Sequence, residues 1–169
     1  MTNSKTTIAF VTAGSSLGSV LVAASENGVC AIFLGDDADE LRRDLQQHFP
    51  QTQIVEGETS LEPIIEQVVA CIDEPARGLD LPLDVSGTEF EQRVWQALRE
   101  IPAGTTASYS EIAARIGQPD HARAVGQACA ANAIAVAIPC HRVVRADGKL
   151  AGYRWGVARK RALLAREAA

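Results

Sequence analysis

The sequence predicts an α+β protein in which strands and helices mix in the first half and helices dominate the second. The dipeptide Asn27-Gly28 separates two apolar runs, a strong hairpin signal because type I′ turns need positive φ at both central residues. Two capping boxes of the pattern Ser/Thr-x-x-Glu, which begin at Thr88 and Ser108, mark helix starts later in the chain. With 169 residues, 47% of them hydrophobic, the chain can bury a core in one or two domains.

The first half contains a predicted hairpin followed by two helices. The hairpin strands cover residues 20–24 and 29–34. Apolar residues recur at every fourth position from Leu41 until Pro50 stops the pattern, which predicts the first helix. The second helix is predicted over residues 60–72, where apolar side chains share one face. No catalytic pattern is present in this half, so we expect it to be a scaffold.

Residues 74–82 contain two prolines and a glycine and form the predicted linker. The predicted domains are therefore an N-terminal α/β scaffold over residues 1–80 and a mostly helical C-terminal domain over residues 81–169.

Three helices are predicted in the C-terminal domain. The first begins at Thr88, and the second begins at Ser108 and ends at Gly117. The third runs from about Asp120, as its N-cap, to Asn132. The last two fit a helix-turn-helix whose second helix would meet DNA, although any helical hairpin would give the same pattern.

The third predicted helix has one face almost without side chains. Ala122, Gly126 and Ala130 follow each other at i, i+4 and i+8, and Arg123 projects beside them. A major-groove reader would need several long polar side chains there. Close approach to a shallow minor groove fits better, and a helix buried against a neighbour is the competing interpretation.

Charge is distributed unevenly along this acidic chain, whose net charge is −5. Residues 1–85 carry 4 Lys/Arg and 14 Asp/Glu, whereas residues 86–169 carry 12 Lys/Arg and 7 Asp/Glu. A basic half can attract phosphates while the whole protein remains acidic, although surface charge also varies by segment without function. No secretory signal or membrane span is evident, and the four cysteines show no CxxC spacing, so we expect a cytoplasmic, reducing location.

The segment Ile138-Pro139-Cys140-His141-Arg142-Val143-Val144-Arg145 carries the most chemical information. It places a thiol beside an imidazole and an arginine, and a neighbouring base or cation raises the fraction of nucleophilic thiolate. A small buried cysteine beside a surface histidine is the ordinary alternative for such a dipeptide.

Further segments stand in a characteristic order and spacing across residues 86–167. They are Gly87-Thr88-Glu89-Phe90, Val94-Trp95, Thr106-Ala107-Ser108-Tyr109, Ala122-Arg123-Ala124-Val125-Gly126, Ala131-Asn132, the Pro139–Val144 run and Leu163-Leu164-Ala165-Arg166-Glu167. Together they resemble the O6-alkylguanine-DNA alkyltransferase family. Gly152-Tyr153-Arg154-Trp155-Gly156-Val157 and Gly35-Asp36-Asp37 resemble most the C-terminal alkyltransferase domain of bacterial Ada.

The resemblance implies a single-turnover DNA repair protein. Cys140 would accept the methyl or other alkyl group from O6-methylguanine, and also from O4-methylthymine, in double-stranded DNA, without a cofactor. The target base must leave the helix because a buried thiol cannot reach a stacked guanine. The family also implies a ribonuclease-H-like antiparallel sheet in the N-terminal half and a monomeric protein that binds the minor groove.

The family roles can be carried over residue by residue. Cys140 would be activated by His141 through a water, because consecutive side chains of an extended strand point apart, and Glu167 would orient the histidine. Tyr109 would assist the leaving base, and Arg123 would fill the gap in the stack. The remaining roles are DNA contact by the small-residue helix face (Ala122, Gly126, Ala130), a hinge at Asn132, and a substrate pocket formed by Val143, Tyr153 and Arg154.

Other functions remain possible on the residues alone. Cys30, Cys71, His48 and His121 do not fall at ligand spacings, so no structural metal is predicted. A DNA-binding regulator would use the helix-turn-helix without chemistry, but Cys140 argues against it because non-catalytic relatives replace the cysteine. A cysteine hydrolase would need an oxyanion hole, and no glycine-rich nucleophile turn precedes Cys140.

Overall fold

A computed structural model describes residues 7–168 of the chain. Four strands form one sheet, in the order β3-β2-β1-β4: β1 (Thr7–Ser15), β2 (Gly18–Ser25), β3 (Gly28–Gly35) and β4 (Gln53–Glu56). The predicted hairpin is confirmed, since β2 and β3 pair antiparallel. The type I′ turn expected at Asn27-Gly28 is wrong, because Gly28 already pairs with Ser25 and Asn27 does not have a positive φ.

The sheet is mixed, and the expectation of a wholly antiparallel sheet is wrong. Strand β4 pairs with β1 in parallel, whereas the β1–β2 and β2–β3 pairs are antiparallel. The reason is the helix α1 (Ala38–His48), which follows β3 and returns the chain to the opposite edge of the sheet, where β4 runs in the direction of β1.

Two helices pack on this sheet. Asp37 caps α1 by accepting a hydrogen bond from the Asp39 amide, and Leu41 and Leu45 are buried as predicted. Helix α2 (Glu62–Asp73) contacts β1 and β2. Residues 20–23 of β2 are buried without alternation, which means that both faces of the central strand are covered.

The second half contains four helices: α3 (Glu89–Arg99), α4 (Tyr109–Arg115), α5 (Ala122–Ala131) and α6 (Val157–Ala168). Two short strands, β5 (Ala107–Ser108) and β6 (Val143–Val144), pair in parallel between them. Both predicted capping boxes form, with each Ser/Thr side chain and each Glu side chain satisfying the other's amide.

The predicted cap of α5 is wrong. His121, not Asp120, is the residue before the helix, and its side chain makes no capping hydrogen bond. The His121 amide donates instead to the Gln118 carbonyl, so Asp120 lies within a turn that delays the helix start.

The edge strand β3 holds the loop that leads to Cys140. The Ile32 amide donates to the Ala133 carbonyl at 2.9 Å, and the Ala135 amide donates to the Ile32 carbonyl at 3.0 Å. This pairing joins the two halves of the chain and fixes the loop between α5 and Cys140 against the sheet. Over residues 7–168, no helix combines the length and apolarity that crossing a membrane requires.

Candidate active site

Cys140 opens onto a cavity of about 650 Å³, a volume typical of small-molecule sites. Its lining residues come from α4, α5, the turn that begins at Cys140 and the segment after β6: Tyr109, Ala122, Arg123, Gly126, Cys129, Ala130, Cys140, Ala151, Gly152, Tyr153 and Arg154. Eight residues predicted from the sequence therefore meet at one cavity. Asn132, His141, Val143 and Glu167 do not line it, and all four side chains are buried behind the wall.

Cys140 begins a short 3-10 turn, Cys140–Arg142, that follows Pro139. The expectation of an extended strand at this point is therefore wrong, since regular pairing begins only at β6. The side-chain nitrogen Nδ2 of Asn132 donates to Cys140 Sγ at 3.3 Å. Burial raises the pKa of the Cys140 thiol to about 11, although the Asn132 bond and the charge of Lys160 oppose this effect. The thiol is therefore neutral near pH 7 and needs a base to become a nucleophile.

A buried base lies directly beside this thiol in the chain. His141 Nε2 and Glu167 Oε2 are 2.7 Å apart, and the two side chains are 1% and 3% exposed. Arg142 donates to the same carboxylate from Nε and Nη2. Burial alone would raise the pKa of Glu167, but the bonds from His141 and Arg142 outweigh it and hold this pKa at about 2.

The ionised Glu167 fixes the tautomer of His141. A carboxylate can only accept hydrogen bonds, so Nε2 carries the proton in the neutral imidazole and Nδ1 keeps a free lone pair. Burial lowers the pKa of His141 despite the nearby carboxylate, which keeps the ring neutral. Nδ1 is buried and has no hydrogen-bond partner among residues 7–168. The site therefore holds a neutral histidine with an available proton acceptor.

Asn132 connects α5 to the loop that carries the thiol. Its side-chain nitrogen donates to the Ile138 carbonyl at 3.0 Å as well as to Cys140, and its oxygen accepts from the Ile134 amide at 2.9 Å. The residue is fully buried and ends α5. All its side-chain bonds therefore act to fix the position of Cys140 relative to the helix.

The small-residue face of α5 forms one wall of the cavity and contacts Tyr109. A Cβ atom placed on Gly126 would lie 3.8 Å from the Tyr109 ring, in ordinary contact. Burial raises the pKa of Tyr109 to about 12, and the nearby thiols add to the effect. The phenol is therefore protonated and can donate. Arg123, one residue into α5, is exposed and forms no ion pair with any residue from 7 to 168.

Lys160 is a charged residue of the site that the sequence reasoning missed. It is 1% exposed, and its Nζ reaches only the Gly152 carbonyl, at 3.4 Å. Burial lowers the pKa of Lys160, while the thiols of Cys140 and Cys129 raise it. In the sequence it stands between Arg159 and Arg161, where a basic run normally indicates a solvated helix face.

Replacing Lys160 with methionine is expected to slow the alkylation of Cys140 by iodoacetamide roughly tenfold at pH 7.5, the effect of one pKa unit. The reason is that removing the buried cation raises the thiol pKa further and lowers the thiolate fraction. The rate should be followed for the Cys140 peptide by mass spectrometry and should recover as the pH is raised. Lys149→Met, at an exposed loop position, is the control. An equal rate in both variants at every pH would contradict the electrostatic role.

Comparisons with known proteins identify the family of this chain. The family model "6-O-methylguanine DNA methyltransferase, DNA binding domain" matches residues 89–169. The inducible methylated-DNA–protein-cysteine methyltransferase of Bacillus subtilis is 38% identical over 136 residues, which cover 79% of this chain and 76% of that protein. The structure of Mycobacterium tuberculosis OGT in complex with DNA superposes with a TM-score of 0.79 at 36% identity, over 95% of this chain and 92% of that one.

The chain belongs to the methylated-DNA–protein-cysteine methyltransferase family. The resemblance carried by the Pro139–Val144 run is thereby confirmed. The mixed α/β fold, with a sheet and six helices, is likewise that of the OGT structures.

Among methyltransferase relatives, the bifunctional transcriptional activator/DNA repair enzyme Ada of Escherichia coli is 51% identical over 161 residues. The match covers 95% of this chain and 46% of Ada, so the chain spans about half the length of that relative.

Two features of the site besides Lys160 have no signal in the sequence. Arg142 was noted only as a neighbouring cation, yet it shares the Glu167 carboxylate and donates to the Ile101 carbonyl at 2.6 Å. Cys129 is a second thiol on the cavity wall, and burial raises its pKa further than that of Cys140. Neither role has a local sequence signal, because both depend on how α5 and α6 pack around the turn at Cys140.

Proposed function

We propose that this chain repairs DNA by transferring the alkyl group of O6-methylguanine irreversibly to Cys140. The observation that carries the proposal is the Cys140 thiol at a cavity of about 650 Å³, followed directly in the chain by the buried His141 of the His141–Glu167 pair. The name of the B. subtilis relative, a methylated-DNA–protein-cysteine methyltransferase, supports the same chemistry, and the M. tuberculosis OGT structure in complex with DNA supports binding to DNA. O4-methylthymine is the proposed second substrate because it presents the same alkyl–oxygen bond.

The proposed reaction balances without a cofactor. His141 Nδ1 takes the thiol proton through a water, and the Cys140 thiolate attacks the alkyl carbon in line. The carbon–O6 bond breaks, its electron pair stays on the base, and the Tyr109 hydroxyl donates to guanine N3 as the base leaves. The product thioether has no group that water readily displaces, so each molecule acts once.

We propose that α4 and α5 form a helix-turn-helix whose second helix lies in the minor groove. The small side chains of Ala122, Gly126 and Ala130 would allow the DNA backbone to approach, and the lesion would rotate past them into the cavity. Arg123 is exposed at the start of the same helix, where it could fill the vacated place in the stack. The excess of basic residues after residue 86 favours phosphate contacts on this side.

We also propose a ribonuclease-H-like scaffold domain over residues 1–80 and an acceptor domain over residues 81–169. Asn132 is the proposed hinge, and Tyr153, Arg154 and the backbone of Val143 are the proposed pocket contacts. We further propose that the protein acts as a monomer in the cytoplasm, where thiols stay reduced.

The proposal is tested by incubating the protein with excess duplex that contains O6-methylguanine and measuring its intact mass. We expect the mass of one added methyl group, located on the Cys140 peptide after digestion. A duplex with O4-methylthymine should give the same adduct. An unmodified protein, or a methyl group on another residue, would overturn the assignment, and methyl loss with a hydrolysed product would favour a hydrolase.

Arg123→Ala is expected to slow repair of duplex DNA at least about tenfold while changing its affinity for undamaged duplex only slightly. The reason is that flipping costs a few kcal/mol, part of which an inserted side chain offsets. Repair of a lesion placed opposite an abasic site, where less stacking is lost, should change much less. Arg99→Ala, at the exposed end of α3, is the control. Duplex repair at the parental rate would show that the arginine does not assist flipping.

A further inference from the structure

The cavity at Cys140, which we call the acceptor cavity, is bounded on one side by a segment without regular structure. This segment, residues 151–155, is called the lid, and its residues 151–154 line the cavity. Among the backbone hydrogen bonds outside helices and strands in residues 7–168, none has a lid amide as its donor. The position of the lid therefore depends on its side chains and carbonyls. The Arg154 side chain and the Trp155 carbonyl connect the lid to the rest of the molecule.

Arg154 joins the lid to both halves of the molecule. Its Nη1 donates to the Asn132 carbonyl at 2.8 Å, at the end of α5. Its Cζ lies 5.1 Å from the centroid of the Phe33 ring and 5.4 Å from that of Trp155, so the guanidinium makes a cation–π contact with each ring. Phe33 belongs to β3 and is 1% exposed. Arg154 itself lines the acceptor cavity, whereas Phe33 does not.

Arg159 provides a second connection between the lid and the sheet. Its Nη1 donates to the Trp155 carbonyl at 3.1 Å, and its Nε donates to the Leu17 carbonyl, in the β1–β2 turn, at 2.8 Å. Its Nη2 pairs with Asp36 at 2.5 Å, just after β3. The end of the lid is thus bound, through Arg159, to the N-terminal sheet.

We infer that the N-terminal sheet sets the width of the acceptor cavity through Arg154, which makes this residue a determinant of the size of alkyl group accepted. The inference rests on the proposed function and deepens it. If the lid moves outward, Arg154 loses its hydrogen bond to the Asn132 carbonyl and its cation–π contact with Phe33. Small adducts therefore fit the cavity with the lid in place, whereas bulky ones must displace the lid.

The inference is tested with two duplexes of identical sequence, one with O6-methylguanine and one with O6-benzylguanine, so that DNA binding cancels in the ratio of transfer rates. Arg154→Ala is expected to raise the benzyl-to-methyl ratio about tenfold, mainly by faster benzyl transfer. Arg154→Lys, which keeps the charge but not the planar fork, should give a smaller increase.

Phe33→Leu separates the connection to the sheet from a simple loss of bulk in the cavity. It removes the ring face beneath Arg154 without touching the cavity wall, and it should raise the same ratio. Because it acts through Arg154, adding it to Arg154→Ala should produce no further increase. Amide hydrogen exchange in residues 151–155 should be faster in both variants. Arg145→Ala, at an exposed position paired with Asp147, is the matched control and should leave the ratio unchanged.

The outcomes distinguish this inference from the proposed function. Parental protein that forms no thioether with either duplex overturns both. Methyl transfer by the parental protein, with unchanged ratios in Arg154→Ala and Phe33→Leu, overturns the inference alone. A changed ratio in Arg154→Ala but not in Phe33→Leu rejects the role of the sheet. Should Arg154→Ala fail to fold, Arg154→Lys and Phe33→Leu decide the question by the same ratio.

Discussion

Cys140→Ala is expected to abolish alkyl transfer completely while its affinity for duplex DNA stays within about threefold of the parental value. The substitution removes the cavity thiol that directly precedes the buried base in the chain, and the remaining cavity thiol, Cys129, has a higher pKa. The DNA-facing residues of α5 are untouched, so the binding surface persists. Intact mass after incubation with methylated duplex measures the first effect, and fluorescence anisotropy with a labelled duplex measures the second.

Cys129→Ala is the matched control, because Cys129 lines the same cavity and its neighbours in the chain, Ala128 and Ala130, cannot act as a base. Burial raises its pKa even further than that of Cys140, so its thiolate fraction at neutral pH is smaller still. We expect transfer by this variant to remain within a few-fold of the parental rate. A methyl adduct on Cys140→Ala, or loss of transfer in Cys129→Ala, would contradict the assignment of the acceptor.

Glu167→Gln is expected to slow alkyl transfer by about 100-fold or more, within the range attributed to a positioned general base. A glutamine side chain can donate to His141 Nε2, which would move the ring proton to Nδ1 and remove the acceptor that faces away from Glu167. The substitution also leaves Arg142 without its charged partner. Single-turnover rates on methylated duplex measure the effect. A rate within threefold of the parental value would contradict the role of Glu167.

The same variant changes the pH dependence of stability in a defined direction. The pKa of Glu167 is about 2 in the folded protein and has its ordinary value of 4.5 in the unfolded chain, so its stabilising contribution is present above pH 4.5 and is lost as the pH falls toward 2. Breaking the buried pair should lower the free energy of unfolding by about 3 kcal/mol at pH 7. Urea unfolding should show this difference shrinking between pH 4.5 and 3. Glu66→Gln, at an exposed position of α2, should show no such trend.

Local sequence signals predicted those parts of the fold that depend on neighbouring residues. The hairpin at Asn27-Gly28 and the capping boxes at Thr88 and Ser108 follow from backbone geometry over a few residues. Strands β1 and β4 were not predicted, since β4 is only four residues long and its pairing with β1 spans more than forty residues. The start of α5 was misplaced because the turn at Gln118 competes with Asp120 as a cap.

In the candidate site, too, the residues within a motif were predicted from the sequence, whereas contacts between distant segments were not. The residues chosen from the family motif, Cys140, Tyr109 and the α5 face, line one cavity in the structure. The motif did not predict the 3-10 turn that begins at Cys140. Contacts between distant segments had no sequence signal. Arg154 meets Phe33 across more than a hundred residues, and Lys160 is buried in a basic run that would ordinarily be solvated. Such contacts arise from the packing of the whole chain and are not encoded in a local pattern.

The stoichiometry of repair tests the central claim most directly. A fixed amount of protein is incubated with increasing excess of O6-methylguanine duplex, and the repaired base is quantified after the reaction stops. We predict a plateau at one repaired base per protein molecule, with the methyl group retained on Cys140. Product that continues to accumulate beyond one equivalent, with Cys140 unmodified, would contradict irreversible transfer to this thiol.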